Sequence, residues 1–134
     1  FPSPPAPADA RAWDAVPQPP TKDDPYVVVL HVIKFNEGGA DGEMVTYTDH
    51  AAQVALPAGV RIFGWFQAEG TYIGDGRTWD QARFNAFPSR AAFIAVATDP
   101  ARLKAQKEHR EVAIADTFTM ILRPVIDRLR ESIS

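Results

Sequence analysis

Proline is distributed so unevenly along this chain that it decides where regular structure can form. Eight of the 12 prolines fall within the first 25 residues, at positions 2, 4, 5, 7, 17, 19, 20 and 25. Each fixes φ and lacks a backbone N–H, so that segment can hold neither a helix interior nor a central strand. We read residues 1–25 as a Pro-rich N-terminal arm, with Phe1, Trp13 and Val16 as apolar points of attachment to its own or a neighbouring subunit. Residues 26–124 are then left for one folded domain. Residues 125–134 form a short amphipathic tail carrying Val125, Ile126, Leu129 and Ile133.

Within the domain the hydrophobic period alternates between two and 3.6. Tyr26 to Phe35 is β-branched and apolar on both faces, which predicts a strand buried in the middle of a sheet. A turn-rich stretch, 36–42, precedes a helix expected from about Glu43 to Leu56, with Asp41 as cap and Pro57 and Gly59 as its end. Val60–Ile73 and Arg77–Phe87 flank Gly74-Asp75-Gly76 and read as an antiparallel hairpin. Ser89 caps a helix over Arg90–Ala97, and Asp99-Pro100 starts a second helical stretch to about Ala115. Thr117 to Leu122 is the last strand, closed by Pro124. This βαββαβ order predicts an α+β, ferredoxin-like antiparallel sheet with helices on one face.

Composition narrows the function. A net charge of −3 and a pI near 5.5 provide no basic field for phosphates, so nucleic acid is not an expected partner. The absence of Cys removes thiolate nucleophiles, disulfides and Cys-ligated metals. No apolar run reaches the 18 or so residues of a membrane span, so no membrane partner is expected. The expected compartment is the cytoplasm, with export the alternative because residue 1 is Phe rather than Met and Cys is absent.

Reading each strand at period two separates the sheet faces. One set is apolar: Val28, Leu30 and Val32, then Ala82, Phe84 and Ala86, then Phe118, Met120 and Leu122. These suit a surface beneath helices. The other set, His31, Phe63, Trp65, Gln67, Arg83, Asn85 and Thr119, is too aromatic to be left bare and too polar for a plain core. Two such mixed faces from two subunits, packed together, would cover the aromatics and let the polar groups converge on a ligand. The expectation is a homodimer with a small-molecule cavity in each subunit; a solvated outer face is the alternative.

The stretch Phe87-Pro88-Ser89-Arg90-Ala91-Ala92-Phe93, then Asp99-Pro100, His109-Arg110, and Ala113, Asp116 and Thr117, resembles the family catalogued as domain of unknown function thirteen-thirty. The resemblance implies the dimeric α/β-barrel superfamily, which includes cofactor-free monooxygenases, lactone isomerases, polyketide cyclases and haem enzymes. Fold analogy does not choose among these reactions.

Candidate chemistry follows from residue types. His31 can accept or donate a proton near pH 7 and is read either as a proton shuttle or as a structural histidine. Arg83, with Arg61, can hold a carboxylate or enolate through its guanidinium fork, or else bridge a dimer to Glu69. Phe63 and Trp65 are expected as cavity walls and Gln67 and Asn85 as polar contacts. On the first helix, Tyr47 and His50 lie three residues apart and either reach the pocket edge or belong, with Asp49, to a solvated face. His109 and Arg110 are read as a charged helix surface in which Arg110 braces Asp116. The three histidines have no metal-clamp spacing, so no metal and no cofactor are expected. The leading functional expectation is cofactor-independent isomerisation, cyclisation or oxygenation of a small metabolite. Its alternative is a non-catalytic dimeric binding or structural module whose barrel is filled by its own side chains.

Overall fold

A computed structural model describes residues 13–125 of the chain. Phe1 and the tail residues Ile126, Leu129 and Ile133 lie outside the described residues. In order come β1 (Val27–Phe35), α1 (Glu43–Ala58), β2 (Arg61–Gln67), β3 (Gln81–Phe87), α2 (Arg90–Ala97), α3 (Pro100–Ala105), a π turn (Gln106–Arg110), α4 (Glu111–Ala113) and β4 (Ile114–Leu122). The strands form one antiparallel sheet in the order β2-β3-β1-β4, the ferredoxin-like arrangement. No helix among the described residues is long and apolar enough to cross a membrane.

Local chemistry accounts for most element ends. Ser89 Oγ accepts from Ala92 N–H at 3.0 Å, and the Asp24 carboxylate accepts from the N–H groups of Arg90 and Ala91 at 2.8 and 3.1 Å. The first turn of α2 is thus capped twice. Asp99 Oδ1 caps α3 through Ala101 and Arg102, with Pro100 in the first turn where its missing N–H costs nothing. Gly59 ends α1 at φ 99°, a conformation that favours glycine. A Cβ there would also run into Pro88, Val16 and Trp13.

Several boundaries differ from the sequence reading, among them the end of α1, which runs through Pro57 to Ala58. Gly42, not Asp41, occupies the cap position of α1 without a side-chain bond, because Met44 N–H is satisfied by Gly39 O of the preceding loop at 3.0 Å. The hairpin strands are shorter than expected. Residues 68–80 form a loop anchored at Asp80, whose N–H donates to Ile33 O and whose carboxylate accepts from Phe35 N–H, both at 2.8 Å. The second helical stretch ends at Ala113 after a π turn, and β4 starts at Ile114, not Thr117.

The sequence reading also placed the sheet the wrong way round. Val27, Val29, Val60, Phe87 and Val96 form one buried cluster, with Val54, Ala55 and Ala58 of α1 and Phe93 of α2 packed against it. Ile33 and Met44 anchor a second with Ala113. The helix-facing side of β1 is therefore Val27, Val29, His31 and Ile33, and by register the same side holds Arg83, Asn85, Trp65 and Thr119. The mixed face lies beneath the helices. It cannot meet a twin, so the expected inter-subunit chamber is replaced by a space inside one protomer.

The apolar set faces away from the helices, with Leu30 opposite Phe84 and Met120, and Val32 opposite Ala82 and Phe118. Phe66 and Met120 on this side are 57% and 47% exposed. The Phe66 ring folds back over Gly64, where a Cβ would stand 2.6 Å from ring atoms, and meets Phe84 edge-on at 6.1 Å.

From the arm, Trp13 is 2% exposed and its indole N–H donates to Gly59 O at 2.6 Å. Its ring lies 5.7 Å from that of Tyr26. Ser89 Oγ donates to Gln18 O at 2.8 Å, so residues 13–24 are clasped to the α1 C-terminus and the α2 N-terminus.

Candidate functional site

Across the middle of the sheet, Trp65, Arg83, His31 and Thr119 stand in one row on successive strands β2, β3, β1 and β4. Along β1 and β3, the next helix-facing pairs in one direction are Val29–Asn85 and Val27–Phe87, and in the other Ile33–Gln81. The polar row therefore interrupts the core between its two apolar clusters. Above it α1 contributes Tyr47, Thr48, Ala51, Ala52 and Ala55 to a cavity of about 130 Å³. The three alanines leave the room. The volume is close to the roughly 150 Å³ of a core cavity that accepts a benzene ring.

The cavity has an apolar end, formed by Ala55, Val60, Phe87, Phe93 and Val96, and a polar end formed by His31, Tyr47, Arg83, Arg102 and Arg110. Among the described residues no carboxylate lines it. Arg83 is 9% exposed; its Nε donates to Gln81 Oε1 at 2.9 Å and its guanidinium stacks 4.0 Å over the Trp65 ring. Burial, followed by the charge of Arg110, lowers its pKa to about 10, which leaves it cationic at neutral pH. Burial likewise lowers Arg110, whose guanidinium lies 6.0 Å from the centre of the Tyr47 ring.

Arg102 has a different place. It donates to the carbonyls of Val96 and Ala97 at 3.0 and 2.8 Å, satisfying the open end of α2, and to Tyr47 Oη at 3.1 Å. Trp65 Nε1 donates to Asn85 Oδ1 at 2.9 Å. An indole N–H can only donate, which fixes Oδ1 on the Trp65 side of Asn85 and frees its NH₂ group to donate elsewhere.

His31 Nδ1 lies 3.2 Å from Thr119 Oγ1. Burial first, then the charges of Arg110, Arg83 and Arg102, lower its pKa to about 4. It is therefore a neutral imidazole at pH 7. When Nδ1–H donates to Thr119, Nε2 carries the free lone pair and is the basic atom.

Of the residues singled out in the sequence, the structure brings His31, Arg83, Trp65, Asn85 and Tyr47 together around the cavity. Phe63, Gln67 and His50 are not in its wall. Phe63 sits at a register shift between Ile62 and Gly64, which takes it out of the alternation, and Gln67 is exposed at the end of β2 opposite Gln81. His50 is exposed and stacks on His109, centroids 5.6 Å apart and rings 2° from parallel, while His109 Nδ1 bonds the Glu43 carboxylate. The expected Arg110–Asp116 brace is absent from the described structure; Arg77 approaches Asp116 at 3.6 Å instead, because Arg110 turns to the cavity. Arg102 and Thr48 were missed by sequence reasoning, and Arg110 was read as a helix-surface residue; Gln81, read with Arg83 and Asn85 on the polar strand face, holds Arg83 Nε. The signal was available in the helix: Met44, Tyr47, Thr48, Ala51, Ala52 and Ala55 form a small and partly polar stripe, which calls for a polar sheet face beneath it. Among the described residues no cluster of three His, Asp or Glu side chains is arranged to hold a metal ion.

No protein-family model and no curated protein matches the chain, so the finer resemblance to domain of unknown function thirteen-thirty rests on its motifs alone. Solved structures do match. A protein of unknown function from Rhodopseudomonas palustris superposes with a TM-score of 0.68 at 24% identity, over 81% of this chain and 96% of that one. A Dabb-family protein with a ferredoxin-like fold from Mesorhizobium loti gives 0.58 at 11% identity, over 75% and 98%. A Caulobacter crescentus protein provisionally described as an antibiotic biosynthesis monooxygenase gives 0.59 at 12% identity, over 77% and 92%. At these identities the likeness is one of fold. The chain has the ferredoxin-like α+β architecture that these structures share.

Proposed function

We propose that this protein binds a small metabolite in the space between its sheet and helices and there catalyses cofactor-independent proton transfer, as an isomerase or cyclase does. The observation that carries this reading is a neutral imidazole in a ring-sized cavity whose other polar groups are cationic or neutral donors. A carbon acid bound with its carbonyl against Arg83 and Arg110 would lose a proton to His31 Nε2. The resulting enolate oxygen would be stabilised by those guanidiniums, and return of the same proton to a second carbon would complete an isomerisation. Oxygenation of such an enolate is the variant suggested by the antibiotic biosynthesis likeness. The rival, a non-catalytic module with a side-chain-filled barrel, requires close packing where a void of about 130 Å³ stands.

We further propose that the protein is a homodimer, joined through the apolar sheet face of Leu30, Phe66, Phe84, Phe118 and Met120. Its family placement within domain of unknown function thirteen-thirty belongs to the same proposal.

The test is a metabolite screen by thermal shift on wild type and two variants. Ala51→Phe fills the cavity, and His31→Gln keeps a polar group of similar length there. Hits should stabilise wild type and His31→Gln but not Ala51→Phe, and turnover of a hit should vanish in His31→Gln. Equal stabilisation of Ala51→Phe, with its circular dichroism unchanged, would place the ligand elsewhere and overturn the reading.

A further inference from the structure

The hydrogen-bonding inventory of the cavity says what kind of molecule it takes. Arg83 and Arg110 are cations without a carboxylate partner in the cavity wall. Gln81 engages Arg83 only through Nε, and the Thr48 hydroxyl lies 3.5 Å from one terminal nitrogen, so much of the guanidinium fork stays available. Among the described residues Arg110 makes no hydrogen bond or ion pair; its guanidinium lies 6.0 Å from the centre of the Tyr47 ring, and the neighbouring Glu111 carboxylate acts on it only through space.

The neutral polar groups point the same way. Tyr47 Oη already accepts from Arg102, so its own proton is the one left to give. Asn85 Oδ1 already accepts from Trp65, so its NH₂ is what it has left. Four side chains from three regions of the chain thus offer donors, two of them charged. Such a donor set concentrates positive charge, only partly offset by Glu111 outside the cavity wall, in a partly desolvated space, and an anion relieves it.

From this donor set we infer that the ligand is a small carboxylate, or a ring enolate, whose oxygens take the donors of Arg83, Arg110, Tyr47 and Asn85. Its single ring or short apolar body lies against Phe87 and Phe93. This deepens the proposed function and rests on it, by naming the substrate class of the same cavity. A planar anion suits two guanidinium forks, and the apolar end argues against a free inorganic anion.

The experiment uses benzoate, phenylacetate and cinnamate, each paired with its neutral amide, with inorganic phosphate as a separate arm, read by thermal shift and by calorimetric titration. The expected result is that at least one carboxylate binds about tenfold or more tightly than its amide, as loss of a charge-assisted bond implies. Arg110→Gln and Arg83→Gln should each remove that preference, and Ala51→Phe should remove binding altogether. Binding of amides as tightly as carboxylates, or of no probe at millimolar concentration, overturns the assignment of an anion. Phosphate binding as tightly as the best carboxylate overturns the apolar-bodied part. Carboxylate binding that survives Ala51→Phe instead defeats the cavity reading beneath it, so the two failures are distinguishable.

Discussion

The guanidinium of Arg102 ties the hydroxyl of Tyr47 to the C-terminal carbonyls of Val96 and Ala97, so one side chain closes helix α2 and orients a donor of the cavity. The two duties separate by mutation. Arg102→Gln should cost about 1–3 kcal/mol in denaturant unfolding, because the partly buried Ala97 carbonyl loses its partner and that of Val96 keeps only Asp99 N–H. Tyr47→Phe should cost no more than about 1 kcal/mol yet weaken binding of a ring carboxylate by roughly tenfold, as a lost donor to a charged group implies. Equal loss of stability in both, with binding intact, would make Tyr47 a packing residue.

Trp13 is buried beside Tyr26 and bonded to Gly59, and is not part of the cavity wall. Trp13→Ala is expected to destabilise the protein by roughly 3–5 kcal/mol through lost burial and the cavity left behind, measured by chemical denaturation. Carboxylate affinity, measured where the variant remains folded, should stay within about twofold of wild type, since the loss is one of folding and not of the site.

Stability should fall on acidification through His31. Its pKa in the folded protein is about 4, below the 6.5 expected in the unfolded chain, so the unfolded state binds the proton first. The contribution is complete above about pH 6.5 and is lost as pH falls toward 4. Between pH 7 and 5 the linkage amounts to about 2 kcal/mol as an upper value. Arg83, with a pKa of about 10, stays charged throughout this range, so His31→Gln should flatten this part of the profile. An unchanged difference between pH 7 and 5 in the variant would assign the effect to other groups.

Phe66 and Met120 are exposed on the sheet face opposite the helices. Sedimentation at micromolar concentration should give a dimer, and Phe66→Glu with Met120→Glu should give a monomer with unchanged far-ultraviolet circular dichroism, because neither site is buried within the protomer. A dimer that survives both charges would place the interface elsewhere.

Much of this architecture can be read from residue types, for identifiable reasons. Ser89, Asp99 and Pro100 state the starts of α2 and α3 in side chains that act within one turn. Alternation along β1, β3 and β2 groups His31 with Arg83, Asn85 and Trp65 correctly, since the period is local. Which face meets the helices is not local. The apolar face is the better helix partner on hydrophobicity alone. The choice was made instead by the alanines of α1 and by arginines arriving from α3 and the π turn, which accept only a polar sheet face. The π turn itself, from ordinary helix-forming residues Gln106–Arg110, carries no obvious sequence mark, and so Arg110 read as a surface residue.

The chain has three histidines, so their imidazole proton resonances can be followed individually by NMR. Of the three, only His31 lines the cavity. The account predicts that free protein shows no His31 titration between about pH 5.5 and 8, and that saturating ring carboxylate moves its pKa upward by about a unit or more, because the anion offsets the arginine charges. A His31 that titrates near 6.5 and ignores the carboxylate would contradict the buried, cationic binding cavity on which the functional proposal stands.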